Sequence, residues 1–522
     1  GDHGKYGETE GYAASMLALA YTAMPEKAED RYGASYNDTL PFGTDGIPDL
    51  LWEAKVGADY IYRLYSRSKK DGLIAAADMY HTVGNGPGMD HLFWDRPEFQ
   101  DAQAQSKGGP HRPVLKGIGT NVAGMYAVSL ALVGRSWEPF DPVYSKQMVD
   151  AAIDIYDNII IKKLYSKTST QCCYDGGGQL QDDPAFAAVA LWYATGQSRF
   201  GHDLYANTAY GTNAGSVFSP GMFAAGLLSR GPITGTAKTA GYFDLGGWTT
   251  DFQQTNQLAI YAFGKLILKD TATALKYGID PVLRDSLLFD VVESLHRGVA
   301  IGSNGPDKTT YPGVNVHQPY HGVFDGGAWG YNRYNMGKVI ELFMYWDLAQ
   351  RTQFWKNMKG KTVPGRLLRP EFAARVNGWT EATDSMYLRL GIDNLNYQLG
   401  VNPWDMSFLM GMGSKNLQHP HNRAANPEGY NAGGVPYKYK APKGALMGGC
   451  RPGELLLDSP SRLVSGTGWP LPATSEWSQY SRSSGHWLAD GPFRRRTVSR
   501  WLRSTSKNGK WISPPNRVAV KL

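Results

Sequence analysis

Carboxylates, imidazoles, guanidinium groups and indoles gather in a few glycine-rich segments of this 522-residue chain. Gly1-Asp2-His3-Gly4-Lys5-Tyr6 sets a carboxylate among glycines, on a turn that can present it to solvent or to a bound molecule. Asp90-His91-Leu92-Phe93-Trp94 joins a hydrogen-bonding imidazole to an indole, a pair suited to stacking on the apolar face of a sugar ring and binding its hydroxyls. Trp329 and Arg333 are four apart and share one face of a helix that begins there. They are either a stacking platform beside a hydroxyl-binding guanidinium or a structural cation–π pair. A last segment runs from Gly400-Val401-Asn402-Pro403 to Pro420-His421-Asn422-Arg423 and ends in two hydrogen-bond donors. Asp182 and Asp183, with Asp251, offer hard oxygen ligands of the kind calcium takes, or serve as helix caps. The common alternatives are missing: no H-E-x-x-H, EF-hand loop, phosphate-cradling G-x-x-x-x-G-K, G-x-G-x-x-G before a helix, or G-x-S-x-G elbow occurs. Cys172, Cys173 and Cys450 make no C-x-x-C, so a thiolate zinc site has little support.

The elements that must position these loops are helices. Ile47, Leu50, Leu51, Ala54, Ala58, Ile61, Leu64 and Tyr65 fall on one stripe of a 3.6-residue helix, with Pro48 near its start. The same periodicity predicts helices over 10–24, 118–135, 146–165, 183–195, 252–268, 280–299, 331–357 and 383–399. Long loops rich in Gly, Pro, Asn and Asp lie between them, as at 66–117 and 300–328, and alternating strand patterns are rare. This is an all-α chain. A superhelical array would show a repeat of about 34–45 residues, and none is evident, so a closed ring of helical hairpins is the expected architecture. Apolar residues at 42% exclude a disordered chain, and no run of about 18 apolar residues predicts a membrane span. The formal net charge is +6, yet nine Lys and Arg and no Asp or Glu stand from Arg494 onward; upstream, 44 basic residues face 47 acidic ones, a net −3. The basic excess therefore belongs to the tail, and charge says little about the substrate.

Taken in order, the loop segments resemble glycoside hydrolase family 9, the inverting β-1,4-glucanases. Gly1–Tyr6 is similar to the second half of a D-A-G-D-x-x-K-Y motif, and Gly46-Ile47-Pro48-Asp49-Leu50-Leu51-Trp52-Glu53-Ala54 to an N-G-I-P-D-L-L-x-E-A helix start. Val83-Gly84-Asn85 through Asp90, His91 and Trp94 resembles V-G-D-x-x-x-D-H-x-x-W. Gln181-Asp182-Asp183 sits where the family opens a helix with an acidic pair. Trp329-Gly330 with Arg333-Tyr334 resembles W-G-x-x-R-Y, and Gly400–Pro403 with Pro420–Arg423 resembles G-x-N-P followed by P-H-x-R.

The resemblance implies an (α/α)6 barrel over residues 1–485, with 486–522 a basic tail outside it. It implies an endo-acting hydrolase of cellulose or a related β-glucan, with Asp2 as base and Glu476 as acid. The alternative is an impaired or non-catalytic glucan-binding relative, because the motif's first Asp is missing and the family's N-E-x-A-x-x-x-N-A reads here Ser475-Glu476-Trp477-Ser478 with Arg482-Ser483. The chain then reads as truncated at its N-terminus. His91, Trp94, Trp248, Trp329, Arg333, His421 and Arg423 are implied to bind the sugar chain. No cofactor is required, although a structural calcium at Asp182, Asp183 and Asp251 accompanies the resemblance. A monomer working outside the cell or at its surface, without nucleic acid or membrane partners, completes the expectation.

Overall fold

A computed structural model describes residues 4–31, 44–84, 96–104, 112–163, 166–168, 180, 182–205, 207–208, 211–212, 250–301, 331–351, 381–402, 405–416, 444 and 446. All lie in one compact unit made of Gly1–Gly429 and Pro436–Cys450. The boundary expected at 485 falls outside the described residues.

The described helices are α1 (Gly7–Ala23), α2 (Asp49–Lys70), α3 (Pro97–Asp101), α4 (Thr120–Trp137), α5 (Pro142–Ile155), α6 (Ile161–Lys163), α7 (Asp182–Thr195), α8 (Ser198–Tyr205), α9 (Asn256–Ala262), α10 (Thr271–Lys276), α11 (Pro281–Ile301), α12 (Tyr331–Arg351) and α13 (Glu381–Gln398). Single π-helical turns extend α5 over Tyr156–Ile160 and α9 over Phe263–Ile267. The stripe read in α2 is the one buried: Leu51, Ala54, Ala58, Ile61, Leu64 and Tyr65 face the core. Its entry is fixed by short polar contacts. Asp30 accepts the amides of Asp45 and Gly46, and the Trp52 indole donates to Asp45 Oδ2 at 3.0 Å.

Burial separates the helices into two layers. In α4 every residue but Arg135 and Ser136 is buried; α7 is buried without a break from Asp182 to Trp192, and α9 throughout. A helix apolar on all sides needs neighbours on all sides, so these are inner helices. By contrast α2 and α5 bury one face each. Packing follows the same alternation: α1 lies on α2 and α4, α4 on α5 and α7, α7 on α8 and α9, α9 on α11 and α12, and α12 on α13. The chain thus runs inner, outer, inner, outer, which is the hairpin succession the sequence predicted.

The described strands are short. Thr82–Val83 (β1) pairs antiparallel with Val114–Leu115 (β2), and Asn207–Thr208 (β3) with Gly211–Thr212 (β4). Lys5 joins the first ribbon: its amide donates to Val83 O at 2.8 Å and the Val83 amide returns to Lys5 O at 3.1 Å. Gly7 is seated deeply, and a Cβ there would stand 2.3 Å from His81 O. The segment that follows Asp2 is therefore locked to the segment that leads to His91 and Trp94.

Candidate active site

Buried polar side chains concentrate at the N-terminal ends of the inner helices. Glu8 opens α1, Asn121 opens α4, Asp182 and Asp183 open α7, Asn256 and Gln257 open α9, and Asn332 and Asn335 open α12, all buried. The opposite ends of α1 and α7 bury apolar side chains, as in Ala18 and Leu19 of α1 or Val189–Leu191 of α7. Helix N-termini present unsatisfied N–H groups and a partial positive charge, which suits the chain's own buried carboxylates and amides to these positions.

The turn 250–255, just ahead of α9, ties three of these helices together. Its first residue is held by α12: Glu341 Oε1 accepts the Thr250 amide at 2.8 Å and the Thr250 hydroxyl at 2.9 Å. Glu341 Oε2 accepts from Lys338 Nζ at 2.7 Å, with both side chains buried. Its last residue is held by α7: the Thr255 amide donates to Asp182 Oδ2 at 2.8 Å and its hydroxyl to Asp183 Oδ1 at 2.6 Å. Between these anchors, Asp251 Oδ1 accepts the Gln253 amide at 2.7 Å. Arg333 Nη2 lies 3.4 Å from Asp251 Oδ2, and its Cζ stands 4.4 Å over the Phe252 ring.

Burial governs the ionisation of this cluster. It raises Asp182 to about 6, against which the Thr255 amide works. Asp183 is pushed up well beyond the usual carboxylate range by burial, then by the charge of Asp182 and, more weakly, of Glu8. Asp251 is raised by burial, offset by the Arg333 guanidinium. Tyr12, on α1, is raised by burial and then by Asp251, so its phenol stays protonated.

Of the residues singled out in the sequence, Arg333, Asp182, Asp183 and Asp251 are described. Asp2, Glu476, His91, Trp94, Trp248, Trp329, His421 and Arg423 lie outside the described residues. Arg333 does make a cation–π contact, with Phe252. The carboxylates suit calcium in kind, and Asp182 Oδ1 is buried with no hydrogen-bond partner among the described residues. Their geometry differs from a ligand set. Thr255 takes an oxygen from each of Asp182 and Asp183, while Arg333 faces Asp251. Among the described residues no three His, Cys, Asp or Glu side chains are placed to hold a metal ion. Asn402 of the G-x-N-P segment is a buried staple, its Nδ2 donating to Tyr397 O at 2.8 Å and Met406 O at 2.7 Å. Sequence reasoning missed Tyr12, Thr250, Phe252, Thr255, Lys338 and Glu341. Only Lys338 and Glu341 carried a local signal, one charge just before and one inside the otherwise apolar run Val339 to Trp346.

The family model described as Glycosyl hydrolase family 9 matches residues 1–480. The chain is 22% identical over 462 residues to a cellulose 1,4-beta-cellobiosidase of Acetivibrio thermocellus, covering 86% of this chain and 42% of that protein. It is 23% identical over 434 residues to Endoglucanase 13 of Oryza sativa subsp. japonica, covering 82% and 55% respectively. The chain thus spans about half the length of the curated relatives it matches. Among solved structures it is similar to the endoglucanase of the termite Nasutitermes takasagoensis, with a TM-score of 0.52, 17% identity, and coverage of 86% of this chain and 78% of that one. That likeness gives the fold as the (α/α)6 barrel expected from the sequence.

Proposed function

Since the chain belongs to glycosyl hydrolase family 9, we propose that it hydrolyses internal β-1,4-glucosidic bonds of cellulose or a related β-glucan with inversion at the anomeric carbon. The match across residues 1–480 carries this reading. Inversion needs two carboxyl groups about 6.5–9.5 Å apart, with a water on the far side of the sugar ring. Asp2, ionised, takes a proton from that water as its oxygen bonds to the anomeric carbon. Glu476, protonated, gives its proton to the glucosyl oxygen as the old C–O bond breaks. The pairing of Lys5 with Val83 supports this assignment, because it anchors the chain three residues from Asp2 beside the segment that continues to His91. Trp94, Trp248 and Trp329 supply indole faces for the sugar rings, and His91, Arg333, His421 and Arg423 donate to hydroxyls. A polymeric glucan substrate places this work outside the cell or at its surface.

Two measurements test the proposal. Proton NMR during early turnover of cello-oligosaccharides should show α-anomers as the first new reducing ends; an initial β signal would refute inversion. Asp2→Asn and Glu476→Gln should each lower kcat by at least about 10²-fold, the range typical of lost acid–base catalysis, while oligosaccharide binding stays near that of the unaltered chain. Binding with no hydrolysis in the unaltered chain would leave a glucan-binding relative instead.

A further inference from the structure

The Lys338–Glu341 pair is unexpected inside an inner helix. Lys338 is wholly buried and Glu341 nearly so, among Val339, Leu342 and Tyr345. Two charges taken out of water lose more hydration than apolar side chains of the same size would, so packing alone does not call for them. What Glu341 does instead is reach a segment 91 residues earlier and accept both donors of Thr250. Lys338 neutralises the carboxylate through its other oxygen. The next two residues, Asp251 and Phe252, are the ones that hold Arg333, and Arg333 keeps 31% of its side chain exposed.

We propose that the Lys338–Glu341 pair is a positioning device for glucan binding: it seats the 250–255 turn so that Asp251 and Phe252 hold the Arg333 guanidinium in the orientation that meets the sugar. This rests on the reading of the chain as a β-glucan hydrolase in which Arg333 touches substrate. Neither Lys338 nor Glu341 contacts the sugar; both act through the turn.

Cellohexaose affinity of the full chain, measured by calorimetry, is the test, because it reads binding independently of turnover. The double variant K338M/E341L should bind about tenfold more weakly, the size expected for one misplaced hydrogen-bonding group. Asp347→Asn is the packing control. Asp347 is also buried on α12, where it accepts from Tyr261 at 2.9 Å and Lys265 at 2.8 Å, and its loss should lower Tm without changing affinity. Arg333→Ala should weaken binding, and adding K338M/E341L to it should cost little more, because the two act on one contact. Wild-type affinity in K338M/E341L, or losses that simply add to those of Arg333→Ala, would overturn the proposal. If K338M/E341L does not fold, Thr250→Val carries the same cycle with a loss of about threefold, and additivity there overturns it equally. A wild-type chain that does not bind cellohexaose refutes the underlying reading and is recognised before any variant is made.

Discussion

At the scale of single residues, the acidic pair that opens α7 sets a measurable pH dependence. Asp182 is raised to about 6 and Asp183 is raised as well, both by burial first. A carboxyl whose folded pKa lies above its unfolded value holds its proton better in the native state. From about pH 4 to about pH 6 the native chain then binds more protons than the unfolded one, and the unfolding free energy falls as pH rises. For Asp182 alone the full effect is up to about 3 kcal/mol. Asp182→Asn removes both its own titration and its repulsion of Asp183, so its urea-unfolding free energy should decline less between pH 4 and pH 6 than that of the unaltered chain. An identical slope would show that the pair ionises freely. Thr255→Val strikes the same pair from the other side by deleting the 2.6 Å hydroxyl donor to Asp183. It should lower stability by about 1–3 kcal/mol, the cost of leaving a buried acceptor unmatched, with a lower urea midpoint. Little of this network was legible beforehand. The acidic pair stood out as residues, but its partner Thr255 is 72 positions away, and Arg333 stacks on Phe252 rather than on a neighbour in sequence. Local spacing shows which residues share a helix face; it does not show which distant turn meets that face.

Elements were far more legible, because helical periodicity reports burial directly. The helices predicted over 183–195 and 383–399 are Asp182–Thr195 and Glu381–Gln398. The informative differences occur where a tertiary contact overrides the local pattern. The helix predicted from 252 starts at Asn256, since the preceding residues form the anchored turn. The helix predicted from 146 starts at Pro142, because Asp141 caps it by accepting the amides of Val143 and Tyr144 at 3.1 and 2.9 Å. These contacts separate two kinds of destabilised variant. Asp141→Ala should lower stability by about 1 kcal/mol and leave glucan hydrolysis per folded molecule unchanged. Gly7→Ala adds a Cβ that meets His81 O at 2.3 Å and the Tyr126 hydroxyl at 2.6 Å. It should cost about 1–3 kcal/mol and lower hydrolysis per folded molecule at least several-fold, because it unseats the pairing of Lys5 with Val83 that fixes the chain behind Asp2. Activity against fraction folded across a urea series distinguishes them. Equal specific activities would detach the first ribbon from the chemistry.

For the whole molecule, the succession of inner and outer helices among the described residues is that of a barrel of hairpins rather than an open array. The charge balance fits the same picture only when it is divided. Residues 494–522 hold nine basic side chains and no acidic ones, and residues 1–493 carry −3. A neutral glucan offers nothing for a net charge to attract; what binds it is apolar faces and hydroxyl partners. Polyanions are a different matter. A block of nine Lys and Arg should hold the full chain on heparin at low salt and release it steeply as salt rises, through counterion release and screening. Deleting 494–522 should abolish that retention and leave the kcat/KM for a soluble β-glucan within about twofold, since a neutral substrate feels no steering. Heparin retention that survives the deletion would place a polyanion site in the body of the chain. A large fall in kcat/KM would give the basic segment a part in the glucan site itself.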